Sequence, residues 1–135
     1  MSRENVELVQ TFVDAYNRGE FDAASELCTP DVEGYPDASV FPEPGPRIGR
    51  AAIKAFLEEI GGAWAEPPRY VLTEAVAVGD ARVLVRGDWR GRGAASAIES
   101  SSEWSMVWTI RDRQIARIAW FSDHKEALEA VGLSE

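Results

Sequence analysis

Hydrophobic side chains recur at helical spacing in the first half of the chain and predict three helices. From Glu4 to Arg18 one apolar stripe runs through Val6, Val9, Phe12, Val13 and Tyr16, and Gly19 ends it. The same period returns from Phe21 to Cys28, until a Thr-Pro-Asp sequence interrupts it at residue 29. A third stretch from Ala51 to Ile60 precedes two glycines, which are typical of a helix C-terminus. Each helix is expected to bury one face.

Alternating hydrophobic and polar positions predict strands in much of the remaining chain. A short strand is expected from Val32 to Tyr35. A loop follows it, because four prolines lie between Pro36 and Pro46 and proline donates no ladder hydrogen bond. Residues 69 to 93 alternate, are rich in valine and carry Gly79-Asp80 at a hairpin turn. Two antiparallel strands are therefore expected there.

The final segment predicts two further strands and a terminal helix. Residues 97 to 110 and 114 to 122 alternate on either side of the turn Arg111-Asp112-Arg113, and residues 123 to 132 form a short amphipathic pattern. A chain of 135 residues fits one domain. The predicted fold class is α+β, with three N-terminal helices packed on one face of a strongly curved antiparallel sheet and a short C-terminal helix.

Charge and composition narrow the range of partners. The formal net charge of -9 argues against nucleic acid and anionic membranes, because both require clustered basic residues. The charged start, MSRENVELVQ, lacks the apolar core of a secretory signal, and no segment has the roughly 18 apolar residues of a membrane span. A cytoplasmic protein with a neutral or small partner molecule is expected.

The chain contains few residues that could bind a metal ion or form a disulfide. Cys28 is the only cysteine, so it can form neither an internal disulfide nor a cysteine metal cluster. One histidine leaves little for a zinc site. No metal and no cofactor are expected.

Three segments of the chain resemble the NTF2-like superfamily, and within it the SnoaL-like branch. They are FVDAYNRGEFDAASELCTPDVE, GRAAIKAFL and VWTIRDRQIARIAWFSDHKEALEAVGL, in the family's order. The resemblance covers essentially the whole length. It implies a cone in which the sheet curls around the helices and encloses an apolar pocket, often with dimerisation through the outer sheet face. A homodimer is therefore expected. The superfamily hosts isomerases, cyclases, dehydratases, epoxide hydrolases and binding modules, so the resemblance implies a fold rather than one activity.

Aromatic residues supply the candidate lining of that pocket. A period of two places Trp104, Met106 and Trp108 on one face of their strand, and Phe121 with Ala119 on one face of the next. The candidate ligand-binding residues are Phe12, Tyr16, Tyr35, Phe56, Trp89, Trp104, Met106, Trp108 and Phe121. Two interpretations remain open: these side chains are core packing, or their rims stack against a flat or ring-shaped ligand.

Asp123 and His124 are the first candidates for chemistry, because the only histidine follows an aspartate directly after a hydrophobic run. Asp123 lies three residues before Glu126, the spacing of a capping box, so one interpretation is a helix N-cap followed by an exposed His124. The resemblance to SnoaL-type cyclases implies the other, an acid/base aspartate near the end of the last strand. A neighbouring aromatic such as Trp120 would then help to raise the pKa of the carboxyl group.

Two enzyme classes in the superfamily imply other positions. The catalytic residues of steroid isomerases match Gly34 or Tyr35, Phe12 and Met106, none of which has the required residue type. Epoxide hydrolases of the limonene type carry an Arg-x-Asp pair on a middle strand, and Arg86 and Asp88 have that spacing. An ion pair exposed on the outer face is the alternative for these two residues. If Trp89 lines the pocket, strict alternation turns Arg86 and Asp88 away from it.

These observations predict a SnoaL-like protein that encloses a small hydrophobic molecule. If it is an enzyme, the reaction is cofactor-free acid/base chemistry of isomerase, cyclase or dehydratase type on a ring-bearing or carbonyl compound. The alternatives are a non-catalytic ligand-binding or dimerisation module, and an epoxide hydrolase. The presence or absence of a carboxylate inside the pocket would distinguish an enzyme from a protein that only binds its ligand.

Overall fold

The computed structural model describes residues 2–37, 45–62, 69–92 and 99–132. Within these ranges the elements are α1 (Ser2–Asn17), α2 (Phe21–Glu26), β1 (Cys28–Tyr35), β2 (Arg47–Ile48), α3 (Arg50–Gly62), β3 (Arg69–Val78), β4 (Arg82–Arg92), β5 (Glu99–Arg111), β6 (Gln114–Phe121) and α4 (His124–Ala130). The predicted α+β class is confirmed. Most of the predicted proline-rich loop and the first two residues of the predicted strand from 97 to 110 lie outside the described residues.

The described strands form one sheet in the order β2-β1-β6-β5-β4-β3. The predicted meander from β3 to β6 is confirmed, since each neighbouring pair within it is antiparallel. In contrast, β1 pairs with β6 in parallel, which the prediction of an antiparallel sheet did not include. The sheet is curved, and register shifts in the β1–β6, β3–β4 and β5–β6 pairs bend it because irregular pairing increases local twist.

The Thr-Pro-Asp sequence that predicts the end of the second helix lies inside β1. The strand begins at Cys28 and includes Pro30, whereas the prediction extended the helix to Cys28 and began the strand at Val32. Proline is compatible with a strand where the ladder is irregular, and the β1–β6 register shifts between Cys28 and Glu33. Gln114 Nε2 donates to the carbonyl of Cys28 at 3.3 Å across the same irregularity.

The inner face of the sheet packs against α1, α2 and α3. The predicted stripes of α1 and α3 are buried there, including Val9, Phe12 and Ile53. Trp108 from the centre of β5 and Ile118 from β6 have fully buried side chains in the same cluster. This inner cluster is the main hydrophobic core and surrounds the candidate site.

A second apolar cluster covers the opposite, outer face. Leu84 of β4 and Val107 of β5 pack there against Ala127 of α4 and Val131 just beyond it. The three N-terminal helices lie on one face as predicted, and α4, to which the prediction assigned no face, packs on the outer face. None of the described helices is long and apolar enough to cross a membrane.

Candidate functional site

Aromatic and aliphatic side chains from helices and strands meet around a small cavity in the inner core. Its volume is about 20 Å³, close to the space that one water molecule needs. The lining residues are Phe12, Val13, Tyr16, Leu57, Tyr70, Trp89, Met106 and Trp108. Five of them were among the sequence candidates. Val13, Leu57 and Tyr70 were not, although the first two belong to the predicted helical stripes.

The rings around the cavity pack mainly edge to face. Phe12 and Trp108 have ring centroids 5.0 Å apart at an interplanar angle of 70°, and Tyr16 and Trp89 are 5.2 Å apart at 80°. Tyr70 lies 4.9 Å from Trp89. These distances and angles are those of favourable aromatic pairs. The aromatic residues are therefore packed against one another around the cavity.

Polar atoms near this cavity fall into two classes. Asn17 at the end of α1 accepts from the backbone N–H of Tyr70 and donates to its carbonyl, both at 2.9 Å, which anchors the start of β3 to α1. The Tyr70 hydroxyl donates to the carbonyl of Trp104 at 2.9 Å. By contrast, the Tyr16 hydroxyl and the Trp108 indole N–H have no partner among the described residues. Burial raises the pKa of the Tyr16 and Tyr70 phenols, so both stay neutral at physiological pH.

Phe56 and Trp120 fill the inner core near β1. Their ring centroids are 4.8 Å apart. A Cβ atom at Gly34 would lie 2.8 Å from Cδ1 of Ile53 and 3.2 Å from Cζ3 of Trp120. The resemblance to steroid isomerases predicts their general base near Gly34 or Tyr35, and Ile53 and Trp120 occupy the space that a side chain at Gly34 would need. Trp120 was absent from the predicted lining.

Phe121 and Tyr35 lie on the outer face, so their predicted inward orientation is wrong. Phe121 packs against the cluster beneath α4. On β6 the inward residues are Ile118 and Trp120. Both faces of this strand are apolar, so alternation alone did not show which residues point inward. Tyr35 donates a hydrogen bond to Glu33, and the guanidinium of Arg117 lies 4.3 Å from its ring centroid.

Arg86 and Asp88 also lie on the outer face, as alternation with a buried Trp89 requires. The Nε and Nη2 atoms of Arg86 each lie 3.2 Å from a carboxylate oxygen of Glu103. Asp88 lies 3.5 Å from Nη2 of Arg90. Both residues therefore form outer-face ion pairs with other partners, and neither lines the described cavity.

Asp123 caps α4. Its carboxylate accepts from the backbone N–H of Lys125 at 2.9 Å, and the side chain is exposed. This geometry is that of a helix N-cap. This exposed carboxylate therefore has a structural role at the start of α4 and does not line the inner cavity.

His124 does not point freely into solvent, contrary to the prediction. Its Nδ1 atom lies 2.6 Å from Oγ of Ser105 and shares a hydrogen bond with it. Ser105 is only 1% exposed, on the outer face of β5. Of the described residues, only four buried ones are polar, namely Asn5, Ser25, Thr29 and Ser105. His124 therefore joins α4 to the sheet by satisfying one of these buried groups.

Replacing His124 by alanine is expected to lower the free energy of unfolding by about 1 to 3 kcal/mol, because the Ser105 hydroxyl would stay buried without its partner. Urea titration measures the change. Ser105→Ala and the double variant complete a mutant cycle, in which the double variant should be more stable than the sum of the single losses predicts. A loss below about 0.5 kcal/mol in His124→Ala would show that this hydrogen bond contributes little.

Acidic side chains lie outside the described cavity. None of the aspartates or glutamates within the described ranges lines it. The described residues also include no group of three or more His, Cys, Asp or Glu side chains placed to hold a metal ion. The described wall therefore offers shape and aromatic surface, but no charged group.

Residues 9–118 match the family model of the SnoaL-like domain. No curated protein matches the chain. Among solved structures, the chain is similar to TerC co-crystallised with polyporic acid, with 22% identity, a TM-score of 0.77 and coverage of 95% of this chain and 98% of that one.

Two further solved structures share the fold. A hypothetical protein from Catenulispora acidiphila with a ketosteroid isomerase-like fold, in complex with trimethylamine, has 17% identity and a TM-score of 0.75, with 94% and 93% coverage. An NTF2-like protein from Burkholderia xenovorans has 27% identity and a TM-score of 0.70, with 90% of each chain covered.

Proposed function

Because the chain belongs to the SnoaL-like domain family, we propose that it binds a small, largely apolar ring compound inside its cone. One observation carries this proposal. The inner cavity is lined by five aromatic rings and three aliphatic or thioether side chains, without a charged group among its described lining residues. Such a wall favours flat apolar ligands through burial and ring stacking.

Ligand entry requires the cavity to enlarge, because about 20 Å³ is far below the roughly 150 Å³ of a protein cavity that binds benzene. Met106 is suited to this change, since its unbranched thioether side chain adopts several rotamers at low cost. The similar TerC structure was co-crystallised with polyporic acid, which supports an organic ligand for this chain. Acid/base catalysis by Asp123 is less favoured, because that carboxylate is exposed and caps α4.

A fluorescent apolar probe, N-phenyl-1-naphthylamine, tests the proposal. Titration into the protein is expected to give saturable emission with a blue shift, because the probe leaves water. Val13→Phe adds a ring inside the cavity and should weaken binding by about tenfold, equivalent to about 1.4 kcal/mol. Val107→Phe is a matched control, since Val13 is 6% and Val107 8% exposed but Val107 lies on the outer face.

The control should bind the probe within about twofold of the native protein, because overpacking on the outer face lowers stability but leaves the inner cavity unchanged. Asp123→Asn should likewise leave binding unchanged. Absence of saturable binding by the native protein would contradict the proposal. Equal weakening by Val13→Phe and Val107→Phe would also contradict it, because the probe would then not report on the inner cavity.

A further inference from the structure

A second, larger cavity opens where the β3–β4 turn and the β5–β6 turn lie beside the start of α1. Its volume is about 500 Å³, compared with about 20 Å³ for the inner cavity. Its lining includes Glu4, Glu7 and Leu8 of α1, Asp80 of the first turn, Ile110 of β5 and Asp112 of the second turn. This cavity, the acidic cleft, is large enough for an organic molecule without rearrangement.

Negative charge in the acidic cleft is dispersed and unneutralised. Four carboxylates and the guanidinium of Arg113 line it, which gives a formal charge of -3. The partial positive charge at the start of α1, about half a unit, offsets only a small part of this excess. Among the described residues, none of these carboxylates has an ion-pair partner. A cation from outside the chain would relieve their mutual repulsion.

Asn5 places a buried hydrogen-bond acceptor in the same cleft. The residue is 7% exposed, and its Nδ2 atom donates to the backbone carbonyl of Asp80 at 2.9 Å. The Oδ1 atom of the same amide accepts no hydrogen bond from the described residues. Polar atoms in side chains this buried normally have a partner. The missing partner must be a donor, and an ammonium group carries only donors.

The acidic cleft also has an apolar surface. Leu8 is half-buried and Ile110 is 8% exposed, and both line the cleft. The backbone N–H of Ile110 donates to the carbonyl of Ala81 at 2.7 Å, which ties β5 to the β3–β4 turn and fixes this surface in place. A chain of methylene groups can cover it, and covering apolar surface contributes to affinity.

The spacing of the carboxylates argues against a single metal ion. They come from three separate segments, and the described residues include no group of three or more His, Cys, Asp or Glu side chains placed to hold a metal ion. Several positive charges joined by an aliphatic chain match both the dispersed carboxylates and the apolar surface between them.

We propose that the acidic cleft binds an aliphatic polyamine. Its ammonium groups pair with the carboxylates, one of them donates to Oδ1 of Asn5, and its methylene groups lie over Leu8 and Ile110. The net charge of -9 attracts such a polycation from a distance. The proposal goes beyond the ring-binding function and does not depend on it, because the two cavities share no described lining residue.

Spermidine is the probe, and isothermal titration at about 0.1 M ionic strength measures its affinity, since charges more than about 10 Å apart are then largely screened. Combining Glu7→Gln with Asp112→Asn should weaken binding by about tenfold or more, because two ion pairs are lost. The matched control combines Glu126→Gln with Glu129→Gln, which removes two exposed carboxylates from α4 outside the described lining. The control should bind spermidine within about twofold of the native protein.

Two further measurements examine the ligand class and the role of Asn5. Mg²⁺ should bind at least about tenfold more weakly than spermidine, because dispersed carboxylates cannot complete its compact coordination shell. In ¹⁵N-labelled protein, the side-chain amide signals of Asn5, assigned by their loss in Asn5→Ser, should shift when spermidine is added. Arg113→Gln removes the competing cation and should tighten spermidine binding by about threefold.

Each contrary outcome overturns a stated part of the proposal. Absence of saturable spermidine binding overturns it entirely, and so does equal weakening by the cleft pair and the control pair, because the probe would then report only net charge. Mg²⁺ binding as tight as that of spermidine overturns the polyamine class. Unshifted Asn5 signals overturn the role of that amide. None of these results bears on the inner cavity, which N-phenyl-1-naphthylamine reports separately.

Discussion

Replacing Trp108 by alanine is expected to destabilise the protein by about 3 to 5 kcal/mol, the range for truncating a buried aromatic side chain. Trp108 is 1% exposed in the middle of the sheet, between its partners Val83 on β4 and Ile118 on β6. Its ring also meets that of Phe12 edge to face. Truncation would leave a cavity that these neighbours cannot fill without moving. Urea unfolding measures the loss.

A less severe change at the same position provides the control. Trp108→Phe keeps an aromatic ring and should lose clearly less stability than Trp108→Ala, because more of the space stays filled. Indole added to Trp108→Ala should raise its stability, since an apolar cavity of matching shape binds the missing ring. A loss of less than about 1 kcal/mol in the alanine variant would contradict the assignment of Trp108 to the core.

The second large effect is expected at Gly87, where alanine should lower the free energy of unfolding by about 3 kcal/mol. A Cβ atom there would lie 2.4 Å from the carbonyl oxygen of Val71 and 2.8 Å from both Cζ and Oη of Tyr70. The carbonyl belongs to the backbone of the paired strand β3, so it cannot rotate away. Relief requires β3 and β4 to separate or the Tyr70 ring to leave the carbonyl of Trp104.

Gly34 offers a matched comparison on the inner face. The atoms nearest to a Cβ at Gly34 are side-chain atoms of Ile53 and Trp120 rather than backbone. Gly34→Ala should therefore cost less, about 1 to 2 kcal/mol, because Ile53 can change rotamer. Both variants are compared by urea unfolding. A smaller loss for Gly87→Ala than for Gly34→Ala would contradict the close contact of Tyr70 with the backbone of β4.

Much of the fold could be predicted from local patterns. Helical spacing identified α1 and α3, because each buries one stripe and exposes the rest. Alternation and turn residues identified β3 to β6, since hairpins depend on neighbouring segments. The pairing of β1 with β6 could not be predicted in this way, because it joins segments far apart in the chain and leaves no local signal.

The candidate site was harder to predict where both faces of a strand are apolar. On β6 the inner face packs against the helices and the outer face lies near α4, so the pattern from Ile118 to Phe121 contains no clean alternation. The charged Arg117 was the one available signal for the orientation of this strand. It is exposed, and alternation from Arg117 places Trp120 on the inner face. On β4, by contrast, Arg86 and Asp88 alternate with buried residues, and alternation assigned their face correctly.

The contacts of Asp123 and His124 show a different limit of prediction from the sequence. The capping spacing predicted the local hydrogen bond of Asp123, because its donor is only two residues away. The contact between His124 and Ser105 spans 19 residues and depends on how α4 docks on the sheet. Tertiary contacts of this kind are invisible to spacing rules, and they decide whether a polar side chain is structural or free.

The parallel pairing of β1 with β6 has a consequence for synthesis of the chain. Cys28 and Gln114, which meet at this pairing, are 86 positions apart, so the ribosome must release β6 before β1 gains its sheet neighbour on that side. At about 5 to 20 residues per second, the early helices wait for several seconds with their apolar stripes uncovered. Ribosome-bound chains that end before β6 are therefore expected to remain protease-sensitive and to bind chaperones, whereas α1 can already be helical.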